Sequence, residues 1–187
     1  ILSVGDELTN VNEGITAETL NRYLNQIVKD VREKFKGRIT YASEQSLRDE
    51  IDWSLFDIVG PHLYYAREWY DEAAMVRTIE RLRKHGKPVL PTESGSATFE
   101  GASRYGGAAG EYQTNQKYSQ EDQATNILET LDVFGKCKLD GAFLFSFMLR
   151  WPPGEDANSY GIMKFMGGKE LSRRKLGFYA FQSFVAS

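Results

Sequence analysis

Two glutamates, Glu7 and Glu93, each end an apolar segment that has the composition of a buried strand. A pair of carboxyl groups can hydrolyse a glycosidic bond: one protonates the leaving oxygen, and the other attacks the anomeric carbon or activates a water. Taken singly, a glutamate after a strand is more often a helix cap or a partner in a loop ion pair. The two together, interleaved with aromatic residues, favour glycoside hydrolysis.

Further polar and aromatic residues stand at the ends of apolar segments, namely Asp6, Glu44, His62, Tyr64, Arg150 and Trp151. In parallel α/β folds the functional side chains lie just after the strands, at one edge of the sheet. We therefore expect these side chains to share a cleft with the two glutamates. For Glu44, a loop ion pair with Arg48 is at least as good an interpretation.

The elements that position these residues follow from the hydrophobic pattern. Apolar segments of strand length alternate with amphipathic segments of helical period, which predicts βα units around a parallel sheet. The predicted strands are 1–8, 38–43, 56–63, 89–92 and 141–149, and the predicted helices are 16–36, 70–85, 119–134 and 172–186. The last strand is almost uniformly apolar, as expected of a parallel strand buried on both faces. The predicted fold class is α/β: a partial (β/α)8 barrel of about five parallel strands with helices outside.

Composition limits the domain count and the classes of partner. The chain has 187 residues, and 41% of them are hydrophobic, so we expect one domain over 1–187. The net charge of −3 shows no basic excess, and no apolar run approaches ~20 residues, which argues against nucleic acid and membrane as partners. One cysteine and two histidines make a poor metal set, so we expect no metal and no other cofactor.

The sequence begins inside an apolar stretch, Ile1–Val4, without a methionine. It has neither the basic region nor the long apolar region of a signal peptide. We therefore expect further sequence upstream of Ile1, and the localisation stays open because any targeting signal would lie there.

The strand-end motifs resemble those of the large clan of retaining glycosidases with (β/α)8 barrels. Gly-Asp-Glu-Leu at 5–8 is similar to the clan's fourth-strand Asn-Glu motif, and Pro-Thr-Glu-Ser-Gly at 91–95 is similar to its seventh-strand nucleophile motif. Pro-His-Leu-Tyr at 61–64 resembles the sixth-strand His-x-Tyr of cellulase-like members, and 143–151 takes the place of the eighth strand with its sugar-stacking tryptophan. By this resemblance the chain is the C-terminal portion of a barrel, strands four to eight.

A closer resemblance is to bacterial barrel proteins that are labelled abortive-infection proteins. Their short patterns are matched at 53–60, 92–95 and 140–143. The order and spacing of these motifs are more specific than any one of them.

The clan resemblance implies a role for each strand-end residue. Glu7 would be the general acid/base and Glu93 the nucleophile of retaining hydrolysis of a β-linked carbohydrate. Tyr64 would hydrogen-bond the nucleophile and keep it ionised, while His62 would line the sugar subsite and Trp151 would stack on the sugar. No cofactor is implied.

One position departs from the clan pattern. The clan has an asparagine before its acid/base, whereas this sequence has Asp6. An ionised aspartate accepts a hydrogen bond from a sugar hydroxyl but cannot donate one, and its charge would raise the pKa of Glu7. This departure keeps two alternatives open: a non-catalytic carbohydrate-binding or phage-defence-associated barrel protein, and an inactive truncated fragment. Because five strands leave two open edges, we also expect self-association of the chain or a partner that supplies three further strands.

Overall fold

The computed structural model describes residues 1–9, 15–46, 48–107, 116–148, 159–164 and 173–186 of the chain. These residues form two compact units. The first unit comprises Ile1–Leu63, Arg77–Glu93 and Leu139–Phe143, and the second comprises Tyr64–Val76, Ser94–Lys138 and Leu144–Ser187. The single domain expected over 1–187 stays a prediction.

The first unit contains a parallel sheet whose strands follow chain order. Its strands are β1 (Leu2–Asp6), β2 (Ile39–Ser43) and β3 (Gly60–Pro61), paired in the order β1-β2-β3. Parallel bridges Val59–Val89 and His62–Glu93 place the segment 89–93 next to β3. Phe143 then donates its backbone N–H to the carbonyl of Pro91 at 2.9 Å, so a fifth segment follows the fourth.

Helix α1 (Ala17–Lys34) covers this sheet with one apolar face. Thr16 caps its start, because the threonine side chain accepts a hydrogen bond from the Thr19 N–H. The buried residues Leu20, Leu24 and Val28 recur every four positions, as the helical period requires. They form one core with residues of β2 and of the segment that contains the 3₁₀ helix Trp53–Leu55: Ile39, Tyr41, Ile51, Trp53 and Phe56.

The second unit is mainly helical. It contains α3 (Ala102–Tyr105), α4 (Gln120–Lys136), α5 (Leu176–Val185) and a short antiparallel pair of β4 (Met163–Lys164) with β5 (Arg173–Arg174); α2 (Glu72–Arg83) begins in it and continues into the first unit. Ser119 caps α4, because its side chain accepts a hydrogen bond from the Asp122 N–H. Gly95 lies so close to the Phe145 carbonyl oxygen that a Cβ at this position would be 2.0 Å from it, which explains the glycine of the 91–95 motif.

The parallel arrangement in chain order and the four predicted helices are confirmed, but the predicted strands are too long. The segment 56–63 forms a strand at Gly60–Pro61 with single bridges at Val59 and His62. The described part of 141–149 makes one bridge, between Leu144 and Ser94, and no strand. Its predicted burial on both faces is also wrong, because Phe143 and Phe147 are 56% and 62% exposed. An apolar sequence permits burial on both faces but does not by itself produce it. Among the described residues, no helix has the length and apolarity required to span a membrane.

The core of the first unit makes a prediction for stability. Leu24→Ala removes a side chain that is 0% exposed between α1 and the sheet, and we expect it to lower the free energy of unfolding by about 2–5 kcal/mol. Tyr23→Ala, at a neighbouring position that is 53% exposed, should change it by less than about 0.5 kcal/mol. Urea denaturation of the two variants measures both values, and equal effects would contradict this assignment of the core.

Candidate active site

The end of β1 turns Glu7 out of the regular strand geometry. Leu2 and Ser3 pair with Ile39 and Thr40, but the next pair joins Asp6 to Ala42, so β1 holds one extra residue. Bulges of this kind redirect side chains beside active sites. Glu7 follows with a φ of 41°, a left-handed conformation that is rare outside glycine and that concentrates at functional sites. The backbone is therefore strained at the residue that the sequence singles out.

The next two segments bring His62 and Glu93 to the same edge of the sheet. The His62 N–H donates to the Ser43 carbonyl at 2.7 Å, and the Leu63 N–H donates to the Glu93 carbonyl at 2.9 Å. Because the pairings are parallel, Glu7, His62 and Glu93 all lie at carboxyl ends of neighbouring segments. This is the edge at which α/β folds place their ligands.

The imidazole of His62 lies between three carboxylates. Its Nδ1 is 2.7 Å from Glu7 Oε1, while its Nε2 is 3.3 Å from Asp6 Oδ1 and 4.0 Å from Glu93 Oε2. The histidine side chain is 2% exposed, whereas those of Glu7 and Glu93 are 35% and 22% exposed. The two glutamates thus contact opposite nitrogens of one buried ring and remain accessible to a ligand.

The carboxylates decide the charge of this histidine. Burial acts to lower the pKa of His62, but the hydrogen bond to Glu7 and the charges of the surrounding carboxylates outweigh burial and raise the pKa overall. The ring therefore stays protonated to higher pH than a free histidine, whose pKa is ~6.5. As an imidazolium it donates a proton from each nitrogen.

Tyr41 within β2 and Glu44, the residue that follows β2, lie near this cluster. The buried Tyr41 hydroxyl accepts a hydrogen bond from the Leu8 N–H at 3.0 Å and so holds the residue that follows Glu7. Burial raises the pKa of Tyr41, which stays neutral. Glu44 is 3% exposed, and burial raises its pKa as well. The ion pair between Glu44 and Arg48 that the sequence allowed is not formed: among the described residues neither Glu44 oxygen has a hydrogen-bond partner.

A cavity of about 310 Å³ opens beside the cluster within the first unit. Its lining residues are Ile1, Ser3, Asp6, Thr40, Ala42, His62, Leu90, Thr92, Glu93 and Phe143. Pockets for small ligands begin at about this volume and combine apolar walls with a few polar groups. Here Asp6 and Glu93 are the acidic groups of the wall, and Phe143 is its exposed aromatic ring.

The same cluster has to be considered as a cation site. One donor atom each of Asp6, His62 and Glu93 lies within 4.8 Å of the others. Pairing of an imidazolium with carboxylates accounts for these distances, and the Asp6 side chain is 66% exposed, as solvated acidic groups often are. The absence of a metal and of other cofactors stays a prediction from the sequence.

The remaining predicted site residues lie outside the first unit or outside the described residues. Tyr64 belongs to the second unit, is 9% exposed, and packs edge-to-face against Tyr160 with ring centroids 6.2 Å apart. Arg150 and Trp151 lie outside the described residues. Sequence reasoning did not single out Tyr41, because a tyrosine within a buried strand looks like any other core residue.

Residues 4–160 match the family model of Glycoside Hydrolase Family 113. The chain belongs to glycoside hydrolase family 113. This confirms the expected clan of glycosidase barrels, whereas the resemblance to abortive-infection proteins is not supported by the comparisons. No curated protein matches the chain.

Solved structures of family 113 enzymes have the same fold. A β-1,4-mannanase of the family is 15% identical with a TM-score of 0.74, over 99% of this chain and 55% of that enzyme. A β-mannanase from Alicyclobacillus acidocaldarius in complex with ManMIm is 20% identical with a TM-score of 0.65, over 98% of this chain and 54% of the enzyme. The partial (β/α)8 barrel is therefore confirmed. The family 113 chain spans about half the length of these mannanases.

The charge of His62 makes a testable prediction. The chain has two histidines, so NMR resolves the titration of each ring. We expect His62 to titrate above ~6.5, the value of a free histidine, and Glu7→Gln to lower its pKa because a negative charge beside Nδ1 is removed. Glu50→Gln, at an exposed carboxyl of the same unit, should leave the His62 titration unchanged.

The same shift fixes the sign of a pH effect on stability. Because the pKa of His62 is raised in the folded state, its charged form stabilises the fold fully below the unfolded-state pKa, and this contribution is lost as pH rises through the folded-state pKa. A His62 titration at or below that of free histidine would contradict both statements.

Proposed function

We propose that this family 113 chain performs the retaining hydrolysis of a β-linked carbohydrate, with Glu7 as general acid/base and Glu93 as nucleophile. The observation that carries the proposal is the pair of contacts to one imidazole, with Glu7 at Nδ1 and Glu93 on the side of Nε2. Through this ring, two partly exposed carboxyl groups from distant parts of the sequence lie at one site. The strained backbone at Glu7 further supports a functional role for this residue.

The chemistry needs two steps. In the first, a Glu93 oxygen attacks the anomeric carbon, the glycosidic bond breaks, and the proton held by the Glu7–His62 pair passes through the Glu7 carboxyl to the leaving oxygen, which leaves His62 neutral or Glu7 ionised. In the second, Glu7 takes a proton from water as the water oxygen displaces Glu93 from the sugar. Two displacements return the original configuration at the anomeric carbon. Retention goes with a separation of ~5–5.5 Å between the two carboxyl groups, whereas ~6.5–9.5 Å implies inversion.

The neighbouring residues have supporting roles in this proposal. His62 orients the Glu7 carboxyl through the 2.7 Å hydrogen bond, which its burial favours over direct contact with the sugar. Asp6 lines the cavity with an exposed carboxylate and would accept a hydrogen bond from a sugar hydroxyl. Tyr64 as the partner of the nucleophile and Trp151 as the stacking platform keep the roles that the clan resemblance implies.

The substrate class rests on the family. The similar family 113 structures are described as β-1,4-mannanases, so we infer a β-1,4-linked mannan or manno-oligosaccharide as the substrate. The two alternatives, a non-catalytic carbohydrate-binding or phage-defence-associated barrel and an inactive fragment, have no comparable support. Neither alternative explains why the two carboxyl groups are accessible or why the backbone is strained at Glu7.

Replacing Glu7 and replacing Glu93 should reduce the activity in different ways. Glu93→Gln removes the nucleophile and should stop turnover of every β-mannoside. Glu7→Ala should slow an unactivated manno-oligosaccharide by about 10²–10⁴-fold, the usual contribution of general acid catalysis. An aryl β-mannoside with a good leaving group needs little protonation, so Glu7→Ala should spare its first step and slow the second. Kinetics of both variants on both substrates measure these differences.

Two further readouts check the role assignments. Activity of the parent protein should be bell-shaped in pH, because one carboxyl must be ionised and the other protonated. Glu50→Gln serves as the matched control and should retain parental rates. Activity that survives Glu93→Gln, or equal losses on both substrates in the two variants, would show that the roles are wrong.

We also propose that the edge formed by β1 pairs with a further strand, either from another copy of the chain or from a partner that supplies three further strands. Among the described residues this strand pairs with β2 and has no strand on its other side, while Ile1 and Leu2 are 59% and 38% exposed. An unpaired strand edge with apolar side chains is a template for pairing with another chain.

Light scattering after size-exclusion chromatography tests this association. We expect a mass above that of one 21.2 kDa chain at micromolar concentration. Leu2→Lys should shift the protein towards the monomer, because a charged edge residue opposes pairing. A monodisperse monomer of the parent protein would refute self-association.

A further inference from the structure

A third carboxyl group, that of Glu44, is buried behind the candidate active site. It follows β2 directly and is 3% exposed. Among the described residues neither of its oxygens has a hydrogen-bond partner within 3.5 Å, although its own backbone N–H and the Tyr41 hydroxyl are near enough to lower its pKa. Burial of a carboxyl group without a close hydrogen bond is costly, so its presence at this position needs an explanation.

The place of Glu44 in the sheet gives that explanation. β2 lies between the two segments whose residues form the cluster. The Ala42 carbonyl accepts from the Glu7 N–H at 3.1 Å on one side, and the Ser43 carbonyl accepts from the His62 N–H at 2.7 Å on the other. Glu44 is the next residue, and it follows the two carbonyls that anchor the acid/base and the histidine.

Electrostatics connects Glu44 to the same two residues. Burial is the main cause that raises the pKa of Glu44, and the charge of Glu7 adds to it. The backbone N–H of Glu44 itself, the charge of His62 and the Tyr41 hydroxyl act in the opposite sense without cancelling the effect of burial. Glu44 therefore keeps its proton to higher pH than an exposed glutamate does. When Glu44 does ionise at higher pH, its negative charge acts on the Glu7–His62 pair, which itself binds a proton.

We propose that Glu44 is a positioning residue that controls the charge of the Glu7–His62 pair. When Glu44 ionises, its negative charge holds the proton on this pair, so the site keeps its acid form over a wider range of pH. The proposal deepens the proposed function and rests on it for the catalytic meaning of that proton. Glu44 itself is not among the residues that line the cavity.

The effect of Glu44 on the Glu7–His62 pair has to be distinguished from the effects of the other titratable and charged groups near it. From β1 and its end, Asp6 and Glu7 face the imidazole, and Glu93 faces it from the segment after β3. Tyr41 lies next to Glu44 and is neutral, because burial raises its pKa. Arg48, four positions after Glu44, is also buried, and no hydrogen bond joins the two side chains. A variant at position 44 leaves all of these groups in place.

The test is an NMR titration of the two histidine rings in the parent chain and in Glu44→Gln, which preserves shape and removes the charge. We expect the His62 midpoint to move to lower pH in Glu44→Gln, with the exposed His85 unmoved as an internal reference. Glu44→Asp, which keeps a carboxyl, should restore most of the shift. Glu50→Gln is the matched control and should leave both rings unchanged. An unchanged His62 midpoint in Glu44→Gln would overturn the proposal.

A second measurement keeps the proposal falsifiable if Glu44→Gln does not fold. Carbon-13 detection of glutamate carboxyls in the parent chain should show Glu44 titrating above ~4.3, the ordinary glutamate value, with a matching inflection in the His62 curve. Titration at or below that value would overturn the proposal.

Kinetics separate this proposal from the function on which it rests. In Glu44→Gln the basic limb of kcat/KM on a manno-oligosaccharide should move to lower pH together with the His62 midpoint, while the rate at the optimum stays near that of the parent. Coupling seen by NMR in a protein without activity would refute the glycosidase function and leave the coupling intact. Parental pH dependence in an active Glu44→Gln variant would refute the role of Glu44 alone.

Discussion

The contact between the buried His62 ring and the carboxylates around it is the interaction on which the site depends. Three acidic side chains at the ends of neighbouring strands repel one another, and a positive ring between them offsets that repulsion. The arrangement demands accurate strand register, because a shift of one residue turns a side chain to the other face of the sheet. The extra residue in β1 and the strained φ of Glu7 are the local adjustments that complete it.

Strand β2 supplies the frame for this contact, although it contributes no catalytic group. All five of its residues are buried, and three consecutive ones hold the site: Tyr41 through its hydroxyl, and Ala42 and Ser43 through their carbonyls. The backbone and one side chain of β2 therefore position the segments on both of its sides. Core residues without a reactive group thus determine where Glu7 and His62 lie.

The sequence was sufficient for the parallel order of the strands and for the positions of Asp6, Glu7, His62 and Glu93, because side chains that end parallel strands share one edge. It was insufficient for Tyr41 and Glu44, whose roles come from contacts across strands and from burial. The exposure of Phe143 and Phe147 also escaped prediction, since an apolar pattern does not show which side chains face it. The charge of His62 is a balance of burial against three carboxylates, and such a balance needs coordinates.

Asp6, at which the sequence departs from the clan pattern, is explained by the balance of burial and carboxylate charge that sets the protonation of His62. Asp6 lies 3.3 Å from Nε2 of the ring, and its negative charge helps to keep that nitrogen protonated. A neutral asparagine would accept the same hydrogen bond without contributing charge. Asp6 and the protonated His62 therefore belong together: the carboxylate loses the ability to donate to a sugar hydroxyl and gains a share in setting the charge beside Glu7. On this argument the aspartate adjusts the proton affinity of the site, and its presence is no sign of a lost activity.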